Sequence, residues 1–346
     1  MRLELVFSFL IFFVATAFAD GCVEKRNVFD VGSGTTKLGM LLVDKCRQES
    51  ISFEKSDIEH LKFQKCLEQS VDKSTLSNDC IIQGVEGMRS LLARNGLDCL
   101  KKDKCAGIAT AWARNSKNAD RLIDEWQKLG VMIKIISQEA EGVFAFRSAL
   151  MHPNVKKISD LDDVAILDAG GGSFQVGVQT KGIVDVFYGK FGVFSLRQLI
   201  DAELGVKADK DIYYSIEKLP NVLKTAVNLV RPEMRKDVAL LPKIKNKELV
   251  VFGVGRLFVN AFMDEMQFSN VITKGDLIEF IRSISLLKSE EVAKKYPNMA
   301  KFFIPHAQMA AIMVYAIIES LEVDQLEVID ARLFDYIALD KEVWAG

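Results

Sequence analysis

Asp30-Val31-Gly32-Ser33-Gly34-Thr35-Thr36-Lys37-Leu38-Gly39 and Asp168-Ala169-Gly170-Gly171-Gly172-Ser173-Phe174-Gln175-Val176-Gly177 are two copies of one pattern. Each reads DxGxG[ST]xx, then an apolar residue, then glycine. Each copy follows an apolar run suited to a buried strand and opens an alternating one, so each predicts a β-hairpin. Glycines in the turn remove Cβ atoms and let backbone N–H groups come close to an anion. The aspartate that ends the first strand, Asp30 or Asp168, can hold magnesium (Mg2+) through water, because this hard cation takes oxygen ligands and keeps part of its hydration shell. A single glycine hairpin is an ordinary turn. Two in duplicated context predict facing turns that clamp a phosphate.

The flanking sequence repeats too. Strand-like runs at 27–31, 37–43 and 51–54 precede a helical stretch at 77–95, a strand at 106–111, a helix at 119–129 closed by Gly130, a strand at 131–136 and a helix from Ser137 to about Leu150. The order βββαβαβα starts again with strands at 164–168, 174–179 and 183–188 and a helix near 195–204. A helical insertion to about 235, a strand at 249–252, two more helices, a long helix at 306–321, a strand at 326–329 and a terminal helix follow. The polar segment 152–162, with Pro153 and Lys156-Lys157, reads as a linker. The expected division is a signal peptide over 1–19, a first lobe over 20–150, a linker over 151–162 and a second lobe over 163–346, with the last helix able to pack back on the first lobe.

Residues 3–19 form an apolar run behind Arg2 that ends Ala17-Phe18-Ala19. This run is shorter than the ~20 residues a bilayer span needs, and its small residues suit signal-peptidase cleavage. Export to the periplasm or the exterior is therefore expected, with no membrane attachment after cleavage. All six cysteines, Cys22, Cys46, Cys66, Cys80, Cys99 and Cys105, fall in the first third of the chain. An even number in an oxidising compartment predicts disulfides whose pairing stays open, although Cys99 with Cys105 would close a short loop. The 45 Lys and Arg against 47 Asp and Glu give a formal charge of -2, which argues against a general nucleic-acid binder. Three scattered histidines without HExxH spacing argue against a zinc hydrolase or a histidine triad. Lysine stretches such as 243–247 read as solvated loop faces. No pattern specifies an oligomeric state.

The two hairpins, with Ala109-Thr110-Ala111-Trp112-Ala113-Arg114-Asn115-Ser116-Lys117-Asn118 and Ile135-Ile136-Ser137-Gln138-Glu139-Ala140-Glu141-Gly142, resemble the exopolyphosphatase and guanosine pentaphosphate phosphohydrolase family. That family belongs to the actin-like superfamily. The resemblance implies an α/β, two-lobed actin-like (ribonuclease H-like) fold of duplicated βββαβαβα domains around an interlobe cleft. It also implies magnesium-assisted hydrolysis of a phosphoanhydride, with Glu141 as the base that activates water and Glu139 as its competitor. Arg114 and Lys37, which stands where the family usually has arginine, would contact phosphate beside Gly32, Ser33, Gly34, Thr35, Gly170, Gly171, Gly172 and Ser173. Asp30 and Asp168 would hold the metal.

Departures bear on substrate. Gln175 replaces the family's usual glutamate and is similar to the glutamine in the DLGGASTQ motif of secreted apyrases, where it would orient water. Phe334, in Asp330-Ala331-Arg332-Leu333-Phe334-Asp335, stands where the family's GLREG segment has arginine. Phe252-Gly253-Val254-Gly255 resembles its third glycine segment. The leading expectation is an exported exopolyphosphatase-like phosphohydrolase acting on polyphosphate. The alternatives are an apyrase-like nucleoside tri- or diphosphate hydrolase and a non-catalytic phosphate or nucleotide sensor.

Overall fold

In the computed structural model, which describes residues 21–206, 213–234, 249–299, 301 and 303–345, the first hairpin pairs β1 (Val23–Val31) antiparallel with β2 (Thr36–Asp44). β3 (Glu49–Glu59) extends this meander. β4 (Cys105–Ala109) joins the other side of β1 in parallel, followed by β5 (Met132–Ile135), so the order is β3-β2-β1-β4-β5. The second half rebuilds this sheet. β6 (Val164–Ala169), β7 (Phe174–Thr180) and β8 (Ile183–Gly189) form the meander, and β9 (Val250–Val254) and β11 (Gln325–Val328) continue in parallel from β6. The three-residue β10 (Val271–Thr273) closes the order β10-β11-β9-β6-β7-β8. The register carries the repeat to single residues, because Asp30 pairs with Lys37 and Asp168 with Gln175.

Local chemistry sets the helix ends. Ser77 Oγ accepts from the Cys80 N–H and Ser137 Oγ from the Ala140 N–H, which starts the helices Asn78–Arg94 and Gln138–Leu150. Gly130, at φ +81°, turns the chain after the helix Ala119–Gln127. The strand expected at 106–111 stops earlier. Ala111–Arg114 forms a helical turn instead, and a short apolar run cannot tell the two apart by periodicity. The helix Phe63–Gln69 and β10 were not expected either. The segment read as a polar linker is packed: Pro153–Lys156 is a helical turn whose Val155 is fully buried. The expected signal peptide and the 243–247 stretch lie outside the described residues.

The helix Gln138–Leu150 is buried on two sides. Phe144 joins Val28, Leu41 and Ile108 of the first sheet, and Phe146 and Ala149 join Ile166, Phe252 and Val254 of the second. A helix apolar on opposite faces belongs between two layers. The short helix Leu333–Ile337 packs on the first sheet, with the Phe334 ring over Gly39 and near Phe53. Among the described residues no helix is long and apolar enough to cross a membrane.

All six cysteines pair with sequence neighbours: Cys22 with Cys46, Cys66 with Cys80, and Cys99 with Cys105. The Cys66–Cys80 bridge ties the helix Phe63–Gln69 to Asn78–Arg94, and the Gln64 N–H of the first helix donates to the Ser33 carbonyl at 3.0 Å. A Cys66→Ser, Cys80→Ser double variant should lose about 3 kcal/mol of stability in denaturant, the chain-entropy value for a loop of roughly 15 residues. A loss below about 1 kcal/mol would show that packing alone, centred on Phe63, holds the helix pair.

Candidate active site

Both hairpin turns close in the same way. The Gly32 N–H donates to the Thr35 carbonyl and the Gly170 N–H to the Ser173 carbonyl, each at 2.9 Å. The turns face each other, since a Cβ built on Gly172 would stand 3.4 Å from Ser33 Oγ. Each turn is braced from behind. Trp112 Nε1 donates to the Val31 carbonyl at 2.9 Å and stacks on Phe63. Val193 and Phe194 N–H groups donate to the Gly170 and Gly171 carbonyls at 3.0 and 3.1 Å. Gly192 lies directly under this second turn, where a Cβ would stand 2.4–2.5 Å from the backbone of Gly170, Gly171 and Gly172.

Three carboxylates converge at the carboxyl ends of the strands, the edge where open α/β sheets bind ligands. Asp30 is the penultimate residue of β1 and Asp168 that of β6, while Glu141 comes from the first turn of the helix between the sheets. Lys37 Nζ lies 2.5 Å from Asp30 Oδ2, and Arg114 Nη2 lies 2.8 Å from Glu141 Oε2. The second contact is an ion pair without hydrogen-bond alignment, so Glu141 Oε2 is buried with no aligned donor. Arg114 is held by Nη1, which donates to the Ile136 carbonyl at 3.0 Å. Burial pushes the Glu141 carboxyl up to about 7; Arg114 opposes this, while the charges of Asp168 and Asp30 add to it. Burial likewise raises Asp168 to about 6, opposed by Lys37 and reinforced by Asp30. Gly255, at φ +84°, follows β9 and leaves room for this carboxylate, since its Cβ would stand 2.8 Å from Asp168 Oδ1.

The donor set fits a hydrated magnesium ion. Asp30 and Asp168 offer hard oxygen ligands, and both raised carboxyls sit in a cleft short of positive charge. The oxygens of Asp30, Asp168 and Glu141 do not form a tight trio. Among the described residues the one group of three potential ligand atoms within 4.8 Å is Cys22, Asp44 and Cys46, whose cysteines are disulfide-bonded. An ion held through its own waters needs no such trio.

Every residue expected to bind phosphate or metal lies on the two hairpins or beside them. Gln175 is 2 % exposed, and its Nε2 donates to Ser173 Oγ at 3.1 Å. Glu139 is exposed, unlike Glu141. Asn118 faces the fold instead of the cleft, bonding both the N–H and the carbonyl of Leu76. Phe334 is buried in the core, so the missing arginine of that segment is replaced by packing. Sequence reading passed over Gly192, Trp112 and Gln138, whose Nε2 donates to the Gly189 carbonyl at 2.9 Å. Gly192 carried a readable signal, a glycine just before an apolar helical run.

The model of the Ppx/GppA phosphatase family matches residues 43–333. The chain belongs to the Ppx/GppA phosphatase family. Its members hydrolyse phosphoanhydrides, and this protein is a hydrolase of that class. The matched region begins near the end of β2, past the first glycine turn, so Asp30–Gly39 is tied to the family through its symmetry with the second hairpin. The fold is similar to that of the Aquifex aeolicus PPX-GPPA enzyme, with 17% identity, TM-score 0.67, and 92% of this chain and 99% of that chain covered. An exopolyphosphatase-like protein aligns at 14% identity and TM-score 0.69, covering 92% and 98%. An exopolyphosphatase from Cytophaga hutchinsonii aligns at 14% and 0.63, covering 91% and 96%. No curated protein matches the sequence.

Gly192→Ala should displace the second glycine turn, at a cost of roughly 1–3 kcal/mol for the forced backbone shift. Calorimetry with inorganic phosphate should show at least about tenfold weaker binding, equivalent to about 1.4 kcal/mol. Unchanged affinity in a folded variant would separate this turn from the anion site.

Proposed function

We propose that this protein is an exported, magnesium-dependent exopolyphosphatase that releases the terminal phosphate of inorganic polyphosphate, with Glu141 as the base. The observation that carries this reading is a buried carboxyl raised to about 7, paired with Arg114 and set beside two facing glycine turns. A base with a value near ambient pH combines a useful ionised fraction with a strong pull on a proton. Export is supported by the signal-like run over 1–19 and three disulfides. We read 20–150 and 163–346 as the two lobes, joined through 151–162.

In this reading the terminal phosphate lies between Gly32–Thr35 and Gly170–Ser173, where backbone N–H groups and the hydroxyls of Ser33, Thr35 and Ser173 donate to its oxygens. Glu141 accepts a proton from a water molecule as the water oxygen bonds to phosphorus, and Gln175 orients that water. The bridging P–O bond breaks, its electron pair stays on the shortened chain, and orthophosphate leaves. Arg114 holds Glu141 in place and, with Lys37, offsets charge on the phosphoryl oxygens. Ppx/GppA enzymes generally depend on a divalent cation. A magnesium ion held through water by Asp30 and Asp168 would supply positive charge against the anhydride oxygens.

Gln175 favours a second reading. A neutral side chain opposite Asp168 fits an apyrase-like enzyme acting on nucleoside tri- and diphosphates. Phosphate release from polyphosphate and from ATP, assayed side by side with residues 20–346, separates the two. Release from polyphosphate supports the proposal, preference for ATP favours the second reading, and magnesium-dependent binding without release would make the protein a sensor.

Glu141→Gln should lower kcat by roughly 10² or more, the scale of a lost general base. It should still bind inorganic phosphate. Only ionised Glu141 accepts the proton, so kcat/KM should rise with pH through about 7. Near-wild-type turnover in the folded variant, or a profile flat between pH 5 and 8 on an assay scale of about these units, would remove Glu141 from this role.

A further inference from the structure

One ammonium group in this cleft sits on an aspartate of its own hairpin. Lys37 and Asp30 face each other across the β1–β2 ladder, and Lys37 Nζ lies 2.5 Å from Asp30 Oδ2. The equivalent ladder position opposite Asp168 holds Gln175, whose amide turns to Ser173 Oγ. Asp168 therefore has no basic partner on its own hairpin. Lys37 thus occupies a carboxylate that a divalent cation held in this cleft would need. The Asp30 side chain is 7% exposed and that of Lys37 26%, so the pair is poorly screened while the lysine retains a path outward. Lysine suits such a place, being a compact point charge on a flexible stem.

We propose that Lys37 is a built-in counter-ion that competes with the divalent cation for Asp30 and moves onto substrate phosphate when the metal enters. This inference rests on reading the two aspartates as the cation site. Before substrate arrives, the ammonium neutralises Asp30 and keeps metal affinity low. A bound phosphate oxygen gives the displaced ammonium a new partner, so anion and metal each tighten the other's binding, as linkage requires. The second hairpin carries no such competitor, which makes the two equivalent backbones unequal in charge.

Magnesium binding measured by calorimetry, with and without saturating inorganic phosphate, tests this without turnover. Lys37→Gln copies the residue that the second hairpin already uses at this position. It should bind magnesium at least about tenfold more tightly than wild type, since one competing charge is gone, and should show a smaller phosphate-induced gain. Lys37→Arg should behave like wild type because it keeps the charge. Lys37→Met, checked like the others by thermal unfolding, should match Lys37→Gln. Magnesium affinity unchanged or weaker in both neutral variants would overturn the proposal, as would an equal phosphate-induced gain in wild type and Lys37→Gln. Absence of phosphate release from polyphosphate or ATP would overturn the proposed activity and leave this competition standing.

Discussion

Three carboxylates drawn into one cleft, Asp30 and Glu141 buried and Asp168 half-buried, are a costly arrangement, and the rest of the site is organised around holding them together. Burial raises the proton affinity of a carboxylate, and neighbouring like charges add to the rise. Here the raised groups are Glu141 and Asp168. Lys37 and Arg114 supply two positive charges against three negative ones, which leaves the cleft short of cation. A dianionic or trianionic phosphate would worsen that shortage, and surrounding N–H dipoles with a hydrated divalent ion would relieve it.

The duplicated sheet gives these charges their positions. Both hairpins use the same turn hydrogen bond and the same ladder register, so they present nearly the same backbone surface to an anion. Their side chains then diverge, lysine opposite one aspartate and glutamine opposite the other. The second turn is supported by the close approach of Gly192, and the first by Trp112 and the disulfide-anchored helix that carries Gln64. The two lobes thus reach one turn geometry through different scaffolding.

The hairpins and most strands were legible because their signals are local: glycine patterns, alternation and apolar runs bounded by turns. Ser77 and Ser137 were legible as caps for the same reason. Elements set by tertiary contacts were not. β10 is three residues long, too short for alternation to register, and it exists because β11 gives it a partner. Ala111–Arg114 turns helical because Thr110 leaves the ladder at the cleft. Pro153–Lys156 was read as part of a linker because Pro153, Asn154 and Lys156 surround a single apolar residue, Val155, which packs. In the site, the family resemblance favoured Glu141 with Glu139 as its competitor, and the fold buries the first and exposes the second, a difference no residue type announces. The role of Phe334 was invisible for a similar reason, since its partner Gly39 lies far away in sequence.

The helix Gln138–Leu150 restricts how the cleft can open. Phe144 is anchored in one core and Phe146 in the other, and Glu141 sits one turn earlier on the same rod. Swinging the sheets widely apart would strip one of these rings from its packing, at about 2–3 kcal/mol per phenylalanine exposed. The molecule is therefore built less like a clamshell than like a gauge of nearly fixed aperture. Such a gauge keeps the Glu141 carboxyl at a nearly constant distance from the two glycine turns.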